Sequence, residues 1–193
     1  GHEVKQGPAI VVVGEGKGGI KRRLRAWEQK TGISLKDAPL YVTTKSVQFL
    51  APASAAELVA EIDRVIALMG GTFPAFIGID TLARNFGPGD ENSTQDATAF
   101  IECLDSLLKN RYRCHVMLVH HTGKDSSAGA RGSSVFKAAM DQEFSFMPKN
   151  YGEIIQLKGE KMKDAVKPKP LNFRLEIIVL GEDANGEDIT GAY

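Results

Sequence analysis

The 193-residue chain has only two cysteines, Cys103 and Cys114, and they form neither a C-x-x-C pair nor a ligand cluster. A disulfide scaffold and a thiolate zinc site are thereby excluded, and a reduced, cytoplasmic protein is expected. Apolar runs are no longer than a strand, as in Ile10 to Val13 and Val116 to Val119, so no membrane span is expected. No charged-then-apolar signal opens the sequence, and Gly1-His2 reads as a cloning remnant. An excess of either charge is also missing, since Lys+Arg and Asp+Glu number 24 each. A strongly basic footprint is therefore absent, and any nucleic-acid contact must come from local loops. The remaining composition, 42% hydrophobic and 25% charged, is that of an ordinary globular protein with a sizeable core. Neither an internal repeat nor a long linker interrupts it, which predicts a single domain over 1–193.

Strand and helix patterns alternate through the first two thirds. Ala9 to Val13 is a short β-branched run, and Ile20, Leu24 and Trp27 behind it share a helical face that Gly32 ends. Leu40 to Thr43 and Val47 to Leu50 read as extended. Ser54-Ala-Ala-Glu57 has the capping-box pattern ahead of Leu58, Ile62, Val65, Ile66 and Met69, with Gly70-Gly71 closing the helix. Ala75 to Asp80 predicts a buried strand, 85–94 a polar loop, Ala97 to Leu108 an amphipathic helix, and His115 to His120 another strand. The expected fold is α/β, a mostly parallel sheet flanked by helices. Alternation over Leu171 to Val179 predicts one half-exposed antiparallel strand, paired with Glu153 to Leu157 in a C-terminal extension, with Asn185-Gly186 as a hairpin turn.

Ligands of open α/β sheets bind at the carboxyl ends of the strands. Three such ends carry charged or titratable groups: Glu15, Asp80 and His120-His121. Asp80 closes a hydrophobic strand, as does the aspartate that holds the magnesium shell of nucleotide hydrolases, with Thr81 in support; many α/β strands also simply end in Asp. Glu15, between Gly14 and Gly16, can orient or deprotonate water where small neighbours let a ligand approach, or can be a solvated turn residue. The His pair can sense a phosphate or cap a strand. Lys161 and Lys163, two apart on a strand, point the same way and can reach a phosphate across a subunit boundary, or remain solvated. Lys124 and Arg131 lie in a Gly/Ser-rich loop that suits nucleic acid, a phosphate clamp or a helix cap. The motif G-x-x-x-x-G-K-S/T, whose amides and lysine cradle phosphate, occurs in no register, including around Gly16-Lys17-Gly18-Gly19.

Taken together, Val11-Val12-Val13-Gly14-Glu15-Gly16 with Arg22-Arg23-Leu24, Phe76-Ile-Gly-Ile-Asp80-Thr81, Val119-His120-His121-Thr122-Gly123-Lys124, and Ala130-Arg131-Gly132-Ser133-Ser134 resemble the RepA-type branch of the RecA-like ring helicases. The resemblance covers nearly the whole chain in order. It implies a RecA-like ATPase core using ATP and Mg2+, acting on single-stranded DNA as a homo-oligomeric, hexameric ring. It implies that Glu15 polarises water and that Asp80, aided by Thr81, holds magnesium through water. His121, or His120, would sense the γ-phosphate, and Lys124 and Arg131 would face DNA in the channel. Lys161 and Lys163 match a Lys-x-Arg finger with lysine at the second position, which lacks the bidentate fork of arginine. Asp141 lies near a position where some relatives carry arginine.

The family has a strand, a P-loop and a long helix ahead of the strand that opens this chain. Two readings follow: a chain that starts downstream of that loop, which Gly1-His2 favours, or a relative without it. The first leaves apolar neighbours of a missing strand exposed, which favours association. A rival expectation is a non-catalytic RecA-like module for DNA binding or assembly. Another is a RecA-like enzyme of a recombinase or signalling branch.

Overall fold

A computed structural model of the chain describes residues 4–121 and 132–193. In chain order the elements begin with β1 (Ala9–Val13), α1 (Lys17–Thr31), β2 (Leu40–Val42), α2 (Pro52–Leu68), β3 (Phe76–Asp80) and α3 (Leu82–Asn85). Next come α4 (Thr94–Leu104), a π-helical turn (Asp105–Lys109), α5 (Asn110–Tyr112), β4 (His115–Val119) and α6 (Ser134–Ala139). The last are β5 (Gln142–Lys149), β6 (Ile154–Met162), β7 (Leu171–Arg174), β8 (Ile177–Glu182) and β9 (Asp188–Ala192). They divide into two compact units, one of residues up to Lys17 with Asp37–Ala138, the other of Gly18–Lys36 with Ala139–Tyr193.

The first unit is built on a four-stranded parallel sheet in the order β2-β1-β3-β4. Register sets Val13 beside Asp80 and Asp80 beside Val119, so three strands end level. Ile10, Val12, Ile77 and Ile79 form one buried cluster with Leu58 and Ile62 of α2, Phe100 of α4, and Leu108. Each such aliphatic side chain removed from water contributes about 2 kcal/mol. Four phenylalanines extend the cluster: Phe86 stacks on Phe100 at 4.9 Å, and Phe49 and Phe136 meet Phe100 edge-on.

Two local expectations change here. α2 starts at Pro52, whose fixed φ suits the first turn, with Ala51 as its cap and no capping box. The hydroxyl of Ser54 instead accepts a hydrogen bond from the Gln48 amide at 3.0 Å. Residues 47–50 are not a strand: Val47 and Phe49 are buried in the core while their amides donate to Asn85 Oδ1 and the Asn85 carbonyl. A buried loop of this kind needs such partners for its amides. Gly70 and Gly71 take positive φ at the end of α2, a conformation that costs glycine little.

The second unit joins α1 to two antiparallel sheets, β5-β6-β7 and β8-β9. The alternating run 171–179 is not one strand. β7 pairs with β6, Leu171 beside Leu157, whereas β8 pairs with β9, Ile178 beside Gly191. Alternation states which face a residue takes but not which neighbour its backbone chooses. β5, absent from the expectation, pairs along most of β6. Asn185-Gly186 does form the β8–β9 turn, where the Asp183 carboxylate accepts from the amides of Asn185 and Glu187. Among the described residues no helix is long and apolar enough to cross a membrane.

Candidate functional site

The level carboxyl ends of β1, β3 and β4 place their following residues along one rim of the parallel sheet. Glu15 follows β1, Asp80 closes β3 with Thr81 after it, and His120-His121 follow β4. β1 is tied at its end by Thr43, whose hydroxyl accepts from the Val13 amide at 3.0 Å. The peptide between Asp80 and Thr81 is cis, and α3 starts directly beyond it.

Glu15 is the hub of this rim. Its Oε1 accepts from the Thr81 hydroxyl at 3.3 Å and lies 3.4 Å from His121 Nε2. Its Oε2 accepts from Arg84 Nε at 3.3 Å. The His121 contact first, and then Arg84 and Thr81, hold its carboxyl below the usual carboxylate range, against an opposing effect of desolvation second only to that of His121. Glu15 is thus ionised near neutrality, an acceptor able to orient water.

Arg84 and Asn85 were not legible as site residues. Asn85 is fully buried. Its Nδ2 donates to the Thr81 carbonyl at 2.9 Å and its Oδ1 accepts from the Val47 amide, which fixes the turn after Asp80. A polar residue one helical turn beyond a strand-closing Asp-Thr was the available signal. The smallness of Gly14 serves these two residues: a Cβ there would strike Arg84 Cβ and stand 2.9 Å from Asn85 Nδ2. The absence of a side chain at Gly14 therefore makes room for α3.

The two histidines part company. His121 reaches Glu15, whereas His120 sets its ring edge-on to Phe136 at 5.9 Å, beside the phenylalanine cluster. Successive residues of extended chain point to opposite sides. Lys124 and Arg131 lie outside the described residues. Just past them, the Ser133 amide donates to the Glu91 carbonyl and the Ser133 hydroxyl accepts from Val135 at the start of α6.

Lys161 and Lys163 belong to the second unit. Lys161 is opposite Glu143 in the β5–β6 ladder, next to an irregularity in register. Lys163 lies past the end of β6, its amide donating to the Asp141 carbonyl at 2.8 Å and its Nζ 3.5 Å from the Asp141 carboxylate.

Among the described residues no three His, Cys, Asp or Glu side chains converge on a metal position. Single oxygen donors such as Asp80 and Thr81 do suit magnesium, which keeps most of its waters and takes phosphate oxygens besides one or two carboxylates. The donor set thus fits a magnesium-nucleotide, not an all-protein metal cage.

A family model described as an AAA domain matches residues 1–127. Among solved structures, the crystal structure of the RadB recombinase aligns with a TM-score of 0.59 at 11% identity, over 88% of this chain and 76% of that one. At that identity the likeness bears on fold alone, and the fold is RecA-like: a parallel sheet with helices, followed by antiparallel strands. No curated protein matches the sequence.

Proposed function

Because the chain belongs to the AAA domain family and has a RecA-like fold, we propose that residues 1–193 are the ATPase core of a ring-forming replicative helicase of the RepA type, acting on single-stranded DNA. The observation that carries the reading is the meeting of Glu15, Thr81 and His121 on one rim, beside Asp80. ATP with magnesium, when bound, supplies the phosphoryl group that passes to water.

The chain's own part is positioning and proton handling. Asp80, backed by Thr81, would hold the magnesium shell. Glu15, ionised, accepts a hydrogen bond from the attacking water and takes up its proton at a carboxylate oxygen. Thr81 and Arg84 fix the rotamer in which it does so. His121 shares Oε1 of Glu15, so a change of partner at one is felt at the other, as a phosphate sensor requires. His120, turned toward Phe136, is the weaker candidate. In the ring, Lys161 and Lys163 would reach a neighbour's nucleotide, with Lys163 first leaving Asp141. Lys124 and Arg131 would line the DNA channel.

The deciding measurement is unwinding of a forked duplex by the full gene product with ATP. Strand separation lost in Glu15→Gln supports the helicase reading. DNA binding without hydrolysis supports the non-catalytic module.

A further inference from the structure

α1 concentrates positive charge in a chain whose formal net charge is zero: Lys17, Lys21, Arg22, Arg23, Arg25 and Lys30 stand against Glu28 alone. No acid lies three or four residues from Lys21 or Arg22, and Arg25 repeats their charge at that spacing. Like charges so placed destabilise a helix. Cations near its start also oppose the helix dipole, and the first turn has no acid to offset them. These side chains raise a positive potential at a cost to the helix itself, and an anionic ligand would relieve it.

Beside the cations runs an apolar groove. Ile20, Leu24 and Trp27 share one face of α1, and with Arg23, Ala192 and Tyr193 they line it. Its wall is firmly seated. Gly191 closes on α1 so tightly that a Cβ would stand 2.9 Å from that of Ala26. Lys30 bonds Glu176 at 2.7 Å, and Gln29 donates to the Val179 carbonyl at 3.1 Å. Trp27 is half-buried and Tyr193 is 42% exposed, so both aromatics are within reach of a ligand.

Aromatic side chains in an apolar groove, with cations alongside, suit a single-stranded nucleic acid: bases stack on rings while phosphates meet Lys and Arg. A lipid surface would call for apolar side chains that protrude, whereas Ile20, Leu24 and Trp27 are all partly buried. We infer that the groove between α1 and the C-terminal strand binds single-stranded nucleic acid, a base against Trp27 and Tyr193 and the flanking phosphates on Arg23 and Lys21. The inference rests on the reading that the protein acts on single strands, and adds a contact surface to it.

Trp27 is the only tryptophan, so its fluorescence reports the groove directly. The full chain, titrated at low salt with an oligothymidylate of about 15 nucleotides, should show saturable quenching. Lys21→Gln with Arg23→Gln, both exposed positions, should weaken affinity about tenfold and flatten the dependence on salt. Tyr193→Ala should weaken it several-fold. Binding without quenching that ignores Lys21 and Arg23 would overturn the groove and leave the helicase reading standing. Quenching by phosphatidylserine vesicles but not by the oligonucleotide would overturn it in favour of a membrane. No binding by either this chain or the full gene product would remove both readings.

Discussion

Arg84 Nε lies 3.3 Å from Glu15 Oε2, while Thr81 and His121 share the other oxygen of the same carboxylate. Glu15 is therefore gripped from the start of α3 and from His121, two residues past β4, not free on a turn between glycines. The pair is largely exposed, with Arg84 at 64% and Glu15 at 39%, so it orients the carboxylate and adds little to stability.

Replacing that guanidinium should be visible in the titration of Glu15. In Arg84→Gln the carboxyl should titrate closer to its ordinary value of 4.5, while His121 and Thr81 hold it partly down. Carboxyl carbon shifts read by NMR against pH test this. A titration identical to that of the wild type would mean that the pair does not form in solution.

Hydrolysis should separate the roles of Glu15 and Asp80. In the full gene product, Glu15→Gln and Asp80→Asn should each slow ATP turnover by about a hundredfold or more. Nucleotide binding should survive Glu15→Gln better, because that carboxylate acts on water. Equal loss of binding in both variants would count against these assignments.

Alone, residues 1–193 should bind ATP weakly and turn it over negligibly, since no G-x-x-x-x-G-K-S/T is present to cradle phosphate. A steady-state assay checks it. Turnover that persists through purification and disappears with Glu15→Gln would contradict the expectation.

A tie between α2 and α5 sets the stability of the first unit at both extremes of pH. The Tyr112 hydroxyl donates to Asp63 Oδ1 at 2.9 Å, and Arg111 reaches Asp63 Oδ2 at 2.7 Å. Arg111, and then Tyr112, hold the Asp63 carboxyl below its ordinary 3.8. Its contribution is thus present above about pH 4 and is lost as pH falls through the lower folded value. Burial, with the neighbouring Asp63 adding to it, pushes the Tyr112 hydroxyl up to about 12 from 10.0. That contribution is complete below pH 10 and is lost as pH rises from there toward 12. Tyr112→Phe should cost about 1 kcal/mol at neutral pH and remove the alkaline loss; Asp63→Asn should flatten the acid limb. Thermal melts across pH read both.

Much of this architecture was legible because it rests on periodicity. The β-branched runs at Ala9 and Phe76 and the apolar face from Leu58 to Ile66 state their own burial. The positions of Glu15 and Asp80 were legible too, because they stand where hydrophobic strands stop. What stayed hidden depends on long-range partners. The break between β7 and β8 is decided by whether β6 or β9 supplies the ladder. Arg84 and Asn85 gain meaning only when α3 folds back on Gly14. Pro52 displaced a capping box that local spacing favoured.

The π-helical turn at Asp105–Lys109 bears on how long this chain needs to be. Leu104, Leu108 and Tyr112 recur every fourth residue, and all three are buried. A uniform α-helix drifts off such a stripe, whereas one wider turn brings it back into line. Such a turn amounts to one residue inserted in an α-helix. A chain one residue shorter between Asp105 and Lys109 would close as continuous α-helix with the same flanks facing the core. A deletion earlier in α4 would instead rotate Leu104 and everything after it by about 100°. The helix thus has one turn at which a residue can be lost without turning its flanks away from the core.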